Sequence, residues 1–372
     1  MASQKNPLAS LLVSYALWSG AAVLGNSLIY LYFKNAGVSE IELLLSFLLW
    51  FSAPLLVIFG LNGRQVGYRK LMILGIGAQL ASFLLMAMLP GTRELLFLYS
   101  FLAGTTCFLF WVPFNIWYFE PSHGKAALLG TVYFSMGSFL NLVLPLIAAT
   151  IVDNVGFGLL FLSTAALYAA TMVSTLFLGE QRYEHNLRDC LKELKGFKTL
   201  IFLEGVYGGG TFAGISVISL IYFTEPAALG LFLSITTIFS ILASAIVSWI
   251  SDRTRKRKKY ISITGTGLGI AHILVPFISS AFGWYVYVSA RNFFSTLFYP
   301  FTTAMIVDNR RDMAKSMVSR EWVLNMGRIL GVLVVLTCAI FVNIYAGLAI
   351  AGFSVIAYPL VIELKRRHIR VE

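Results

Sequence analysis

Five polar side chains fall inside stretches otherwise apolar enough to lie in a membrane, and their spacing limits what they can do. Glu321, Asn325 and Arg328 stand four and three residues apart, which puts all three on one face of a helix. Arg328 lies about twelve residues into its apolar segment, near the bilayer midplane at a rise of roughly 1.5 Å per residue. Arg291 enters an earlier segment from its outer end. Glu204 enters another from its inner end, just ahead of Gly205, Gly208, Gly209 and Gly210. A charge near the bilayer centre costs a few kcal/mol on insertion scales, so it faces a partner or a water-filled cavity and is a functional candidate.

Two roles compete for Arg328: binding an anionic group of a solute, or neutralisation by Glu204 or Glu321. Glu204 is also a candidate to carry a coupling proton, since burial and a nearby arginine pull a carboxyl's protonation in opposite directions. The glycine run lowers helix stability by up to about 1 kcal/mol per residue. That segment is therefore expected to bend or unwind where it lines a cavity. The first half of the chain contributes amides and indoles instead: Trp18, Asn26, Trp50, Trp111, Asn115 and Asn141. An amide-lined half facing a charged half suits an amphipathic or aromatic solute with one charge. The membrane-embedded His272 reads as a packed imidazole.

Reaction chemistry has no foothold in the sequence. It contains no His-Glu-x-x-His, no paired intramembrane aspartates, no Gly-x-Ser-x-Gly elbow and no Gly-x-x-x-x-Gly-Lys-Ser/Thr loop. A lipid-modifying enzyme and a nucleotide-driven pump are therefore disfavoured, and no cofactor or metal is expected. The three cysteines, Cys107, Cys190 and Cys338, give no disulfide framework.

The elements that must position these residues follow from composition. Hydrophobic residues make up 58% of the 372 and charged residues 12%, against about 25% charged in a soluble domain. Twelve segments of roughly 20 residues consume most of the chain and leave no room for a soluble domain. The net charge of +11 is a matter of placement: 24 of the 28 Lys and Arg fall on one side, in clusters at 64–70, 182–198, 253–259, 310–320 and 365–370 and at Lys5 and Lys125. That asymmetry orients both termini and the central linker to the cytoplasm and argues against nucleic acid as a partner. The opening residues read as an uncleaved first helix.

The longest polar run, Glu180 to Phe197, sits near the midpoint, and the two sides echo one another. Ser27-Leu28-Ile29-Tyr30 returns as Ser219-Leu220-Ile221-Tyr222, Pro113-Phe114 as Pro300-Phe301, and Met136-Gly137 as Met326-Gly327, at offsets of 192, 187 and 190. Parallel repeats related by an axis along the membrane normal are one transporter architecture. The expected division is a six-helix bundle over 1–179, a linker over 180–197 and a second six-helix bundle over 198–372. Tyr183, Leu187, Leu191 and Leu194 at helical spacing predict an amphipathic helix on the inner membrane surface.

The loop after the second segment reads Gly60-Leu-Asn-Gly-Arg64-Gln-Val-Gly67-Tyr-Arg69-Lys70, and its counterpart Ser248-Trp-Ile-Ser-Asp252-Arg253-Thr-Arg-Lys256-Arg257. Together they resemble the Gly-x-x-x-Asp-Arg-x-Gly-Arg-Arg/Lys loop of the major facilitator superfamily. The first copy keeps both glycines with Arg64 in place of the Asp; the second keeps Asp252-Arg253 without the glycines. The stretch Leu31 to Ser39 resembles the family's exit from helix 1. Gly130, Gly137, Asn141 and Pro145 resemble, with partly kept spacing, its helix-5 motif.

The resemblance implies an all-α integral membrane protein: twelve transmembrane helices in two pseudo-symmetric six-helix bundles, with helices 1, 4, 7 and 10 lining a central cavity. It implies a cytoplasmic gate at Gly60, Gly67, Asp252 and Arg253. It implies a secondary transporter, monomeric and in contact with lipid, and the compact loops point to a prokaryotic inner membrane. Protons or sodium would drive a small-molecule substrate, and the two embedded arginines favour an anionic or zwitterionic one. The alternatives are a multidrug or lipid-like exporter of the same fold, or a transport-dead sensor or scaffold.

Overall fold

A computed structural model of the chain describes residues 7–120, 126–251, 257–309 and 311–364. The first crossing is broken into α1 (Pro7–Asn26) and α2 (Ile29–Asn35). After α3 (Glu40–Gly60) and α4 (Tyr68–Met88), the fourth crossing divides into α5 (Arg93–Leu109) and α6 (Trp111–Phe119). The helices α7 (Ala126–Asn154) and α8 (Phe157–Leu176) complete the first half, and α9 (Leu187–Glu193) lies in the linker. The second half comprises α10 (Lys198–Tyr222), α11 (Pro226–Ser251), α12 (Arg257–Ile273), α13 (Ala281–Asp308), α14 (Met313–Phe341) and α15 (Ile344–Leu364).

Among the described residues, eleven helical stretches are long and apolar enough to cross a membrane. The twelfth crossing is α13, 28 residues long, whose apolarity is diluted by Arg291, Asn292 and three tyrosines. Local chemistry sets several boundaries. Pro113 has no N–H to give the carbonyl four residues back, and the fourth crossing breaks at that turn. At the start of α3, Ser39 and Glu42 form a reciprocal capping box, and Asp312 caps α14 through the Lys315 amide at 3.0 Å.

Within the first half α8 packs on α1 and α4, and α3 on α5. Within the second, α10 packs on α14 and α15, α12 on α15, and α11 on α13. The halves meet along two seams, α7 against α11 and α3 against α14. Large apolar side chains such as Phe59, Met88, Phe277 and Phe341 stay largely exposed around the perimeter, where lipid takes the place of a packing partner.

The glycine run does not unwind its helix, contrary to the expectation from propensity: α10 is continuous from Lys198 to Tyr222. Gly205 and Gly209 press against the backbone of Leu324, Gly327 and Arg328, while Gly327 and Gly331 press back against Phe202 and Val206. A methyl group at any of the four would overlap a backbone carbonyl of the facing helix. Small residues four apart on both helices permit this approach, and the packing outweighs the propensity cost. The interlock holds the polar face of α14 beside Glu204.

The linker does not lie free on the membrane surface. Its first residues form β2 (Arg182–Glu184), antiparallel to β1 (Gln65–Gly67) in the loop after α3. Further ties to the first half are the Gly63 amide to the His185 carbonyl at 2.8 Å and the Leu187 amide to Asn62 Oδ1 at 2.7 Å. Only seven residues then form α9, and its apolar face is taken up by protein: Cys190 and Leu194 are buried and α9 packs on α14. At its far end Glu193 Oε1 accepts from the Arg311 and Asp312 amides at 2.7 and 2.8 Å, joining the linker to the second half.

Candidate functional site

Among the described residues, two ion pairs and one arginine without a carboxylate partner lie at or beside the cavities between the bundles. Arg320 Nη2 donates to Glu204 Oε1 at 2.7 Å, with side chains 17% and 3% exposed. Glu204 Oε2 and Arg320 Nε are buried with no hydrogen-bond partner, so the pair is satisfied through one contact only. At the next residue of α14, Glu321 Oε1 accepts from Asn325 Nδ2 at 2.7 Å and from Arg328 Nη1 at 3.3 Å, and the same Nη1 donates to Asn325 Oδ1 at 3.1 Å. The Arg328 guanidinium lies 5.3 Å from the centre of the Phe51 ring, on α3 of the other bundle. Of the two carboxylates considered for Arg328, Glu321 is the one that pairs with it, at 3.3 Å.

Arg320 was counted by sequence with the cytoplasmic basic cluster. The structure instead places it in a cavity of about 220 Å³ together with Asn115, Tyr133, Glu204, Tyr299 and Arg328. Its spacing of eight from Arg328 was the available signal, since residues four and eight apart return to nearly one helix face.

Arg291 differs from both. Its Nη1 donates to Asn292 Oδ1 at 2.9 Å and its Nε is buried without a partner; among the described residues no carboxylate pairs with it. Asn292 is itself fixed by donating to the Thr236 carbonyl at 3.2 Å. Arg291 lines a cavity of about 510 Å³ bounded by α7, α10, α11 and α13, and Tyr299 lines both this cavity and the Glu204–Arg320 one. A third cavity, of about 360 Å³, shares Asn141 and Phe212 with the Arg291 cavity and contains Asn26, Trp50 and Tyr99. The three chambers form a chain through the middle of the molecule.

The amides predicted in the first half are divided among these chambers. Asn26 accepts from the Tyr99 hydroxyl at 2.7 Å, Asn141 donates to the Gly137 carbonyl at 2.8 Å, and Asn115 Oδ1 is buried without a partner. Trp111 is packed in a ring cluster with Tyr15, Trp18, Phe114 and Tyr133 and lines none of the three. His272 is saturated: Nδ1 meets the Leu268 carbonyl at 2.9 Å, and Nε2 meets Thr211 and Tyr287 at 3.2 and 3.0 Å.

No protein-family model matches the sequence, and no curated protein matches it significantly. Solved structures match over nearly its whole length. The human organic anion transporter MFSD10 superposes with a TM-score of 0.71 at 12% identity, over 97% of this chain and 100% of its own. A POT family transporter solved with a thioalcohol-conjugated peptide gives 0.71 at 14%, over 97% and 96%. The E. coli fucose:proton symporter FucP gives 0.69 at 14%, over 98% and 99%. The chain has the fold of the major facilitator superfamily.

Within that superfamily's fold the loop residues take unexpected partners. Gly60 closes α3, and Gly67 sits at the start of α4, where a methyl group would collide with the Glu180 carboxylate. Arg64 is exposed at the motif's acidic position. Arg69 turns to the linker, pairing with Glu180 at 3.3 Å and donating to the Leu178 carbonyl at 3.1 Å. Asp252 and Arg253 lie outside the described residues.

Proposed function

We propose that the protein is a secondary active transporter that moves a small anionic or zwitterionic solute by alternating access between two bundles, over 1–179 and 198–372. The observation that carries this reading is the combination of compensated and uncompensated charge between the bundles. Arg291 offers a fixed positive charge to a solute. The Glu204–Arg320 pair, joined through one oxygen, is the coupling element: a proton on Glu204 cancels its attraction for Arg320 and frees the arginine to move.

Uncoupling costs and gains are of the right size for a switch. Removing one partner of a buried pair costs ~3–5 kcal/mol, whereas neutralising both can be close to neutral. Among structures sharing the fold, one is named as an organic anion transporter and another as a proton symporter, which is in keeping with this reading. The site residues then take separate roles: Arg291, Asn292 and Asn141 for the solute, Glu204 and Arg320 for coupling, and Glu321, Asn325 and Arg328 as a structural stripe. Both termini face the cytoplasm of a prokaryotic inner membrane, and the monomer is the working unit.

The test uses proteoliposomes with an entrapped pH dye, challenged with a panel of organic anions and amino acids. Wild type is expected to move protons with one class of solute. Glu204→Gln is expected to keep solute flux while losing its dependence on the proton gradient. Proton-driven flux undiminished in Glu204→Gln removes the residue from coupling.

A further inference from the structure

The proposed transporter leaves open whether its solute is an anion or a zwitterion, and the charge inventory of the Arg291 chamber decides between them. Resting on that reading, we propose that this chamber binds a small hydroxylated monocarboxylate, with its carboxylate on Arg291 and the rest of the molecule uncharged. Among the described residues, the chamber is lined by one cation and by no Asp, Glu, Lys or His. Both other arginines nearby are already compensated, Arg320 by Glu204 and Arg328 by Glu321.

A zwitterion would bring an ammonium group with no carboxylate to receive it. Glu204 and Glu321, the carboxylates on α10 and α14, are engaged by their own arginines, and Glu204 sits in the neighbouring chamber that shares Tyr299. A dianion would leave its second charge unmet. A single carboxylate instead meets a guanidinium whose fork geometry suits it, and whose Nε has no other partner. An uncompensated buried charge is strongly unfavourable, and a carboxylate on Arg291 relieves it.

The lining away from Arg291 fixes the character of the rest of the solute. Thr236, Thr237 and Ser216 spend their hydroxyl protons on carbonyls of their own helices, at 2.7–2.9 Å. Their oxygens remain able to accept, so the wall calls for donors on the solute, which hydroxyl groups provide. Phe212 and Phe232 bound part of the same chamber, and its volume of about 510 Å³ falls in the range of small-molecule sites.

Thermal unfolding of the purified full-length protein tests the assignment. The probes are gluconate, hexanoate, succinate, serine and glucose, applied to wild type, Arg291→Gln, Arg291→Lys and Arg328→Gln. Gluconate is expected to raise the midpoint most and hexanoate less. The gluconate shift should vanish in Arg291→Gln, shrink in Arg291→Lys and persist in Arg328→Gln. Because the lysine variant keeps the charge, it reports on binding even where the glutamine variant fails to fold.

The proposal is overturned if serine, succinate or glucose stabilises as strongly as gluconate, if hexanoate exceeds gluconate, if gluconate gives no shift, or if its shift survives in Arg291→Gln. Gluconate flux into proteoliposomes separates the two levels. Arg291-dependent binding without flux would sink the transport reading and leave this assignment standing. Flux of serine without any gluconate shift would do the reverse.

Discussion

Alanine scanning of the α10 glycines gives a prediction whose sign changes within two residues. At Gly209 an added methyl meets the carbonyl, Cα and carbonyl carbon of Arg328, all backbone atoms that cannot rotate aside. Overpacking of this kind costs ~1–3 kcal/mol, and the unyielding partner puts Gly209 at the upper end. The gain in helix propensity offsets only about 1 kcal/mol, so Gly209→Ala is destabilising by roughly 1–2 kcal/mol. At Gly208 the nearest atom to an added methyl is the Tyr299 hydroxyl at 4.0 Å. There the propensity gain stands alone, and Gly208→Ala is stabilising by up to ~1 kcal/mol. The two single variants should therefore differ by ~2–3 kcal/mol in detergent unfolding. Equal stability of the two, or Gly208→Ala as the weaker, refutes the interlock as what tolerates the glycine run of α10. Gly209→Ala should also weaken any transport that depends on Glu204, because it moves α14 away from α10.

Other perturbations test the linker and the stripe. Glu193→Ala removes the acceptor of the Arg311 and Asp312 amides; partial exposure limits the loss to ~1–2 kcal/mol, and trypsin cleavage in the linker should accelerate in step. Burial pushes the His185 imidazole below its ordinary value of 6.5. The unfolded chain therefore takes up a proton first as pH falls, and stability should decline below about pH 6.5. Thermal midpoints across pH 5–8 check this, and His185→Gln should flatten that part of the profile. Glu321→Gln leaves Arg328 without its carboxylate at 3.3 Å and should lower stability by ~1–3 kcal/mol, with gluconate binding at Arg291 unaffected.

The crossings were legible as apolar runs of spanning length, and the polar stripe of α14 by its helical spacing, which the bilayer penalty on buried charge makes telling. Pairing was not. Arg320 sits about two helical turns into α14, whose start is basic, so charge placement alone read it as topogenic. Only the approach of α10 brings Glu204 to it, and that approach depends on glycines on two helices more than a hundred residues apart. Propensity read the same glycines as weakness, because it sees one helix and not the facing one. The linker shows the same limit: an apolar face at Leu187, Leu191 and Leu194 says that something covers it, and the structure supplies α14, with Cys190 and Leu194 buried, where the sequence suggested lipid. Trp111 was singled out by type, yet its ring belongs to the packing of the first bundle.

Alternating access is the central claim, and inter-bundle distances measured on both faces test it most directly. Spin labels at Asn35→Cys and Thr224→Cys report the face proposed as outer, and labels at Arg64→Cys and Arg311→Cys the face proposed as inner; all four positions are exposed. Pulsed electron resonance in nanodiscs at pH 5 and pH 8 is predicted to give two populations on each face. Longer outer distances should accompany shorter inner ones, and the ratio should become insensitive to pH in Glu204→Gln/Arg320→Gln. A single unchanging distance on both faces under all conditions would contradict the account and identify the protein as a static scaffold of this fold.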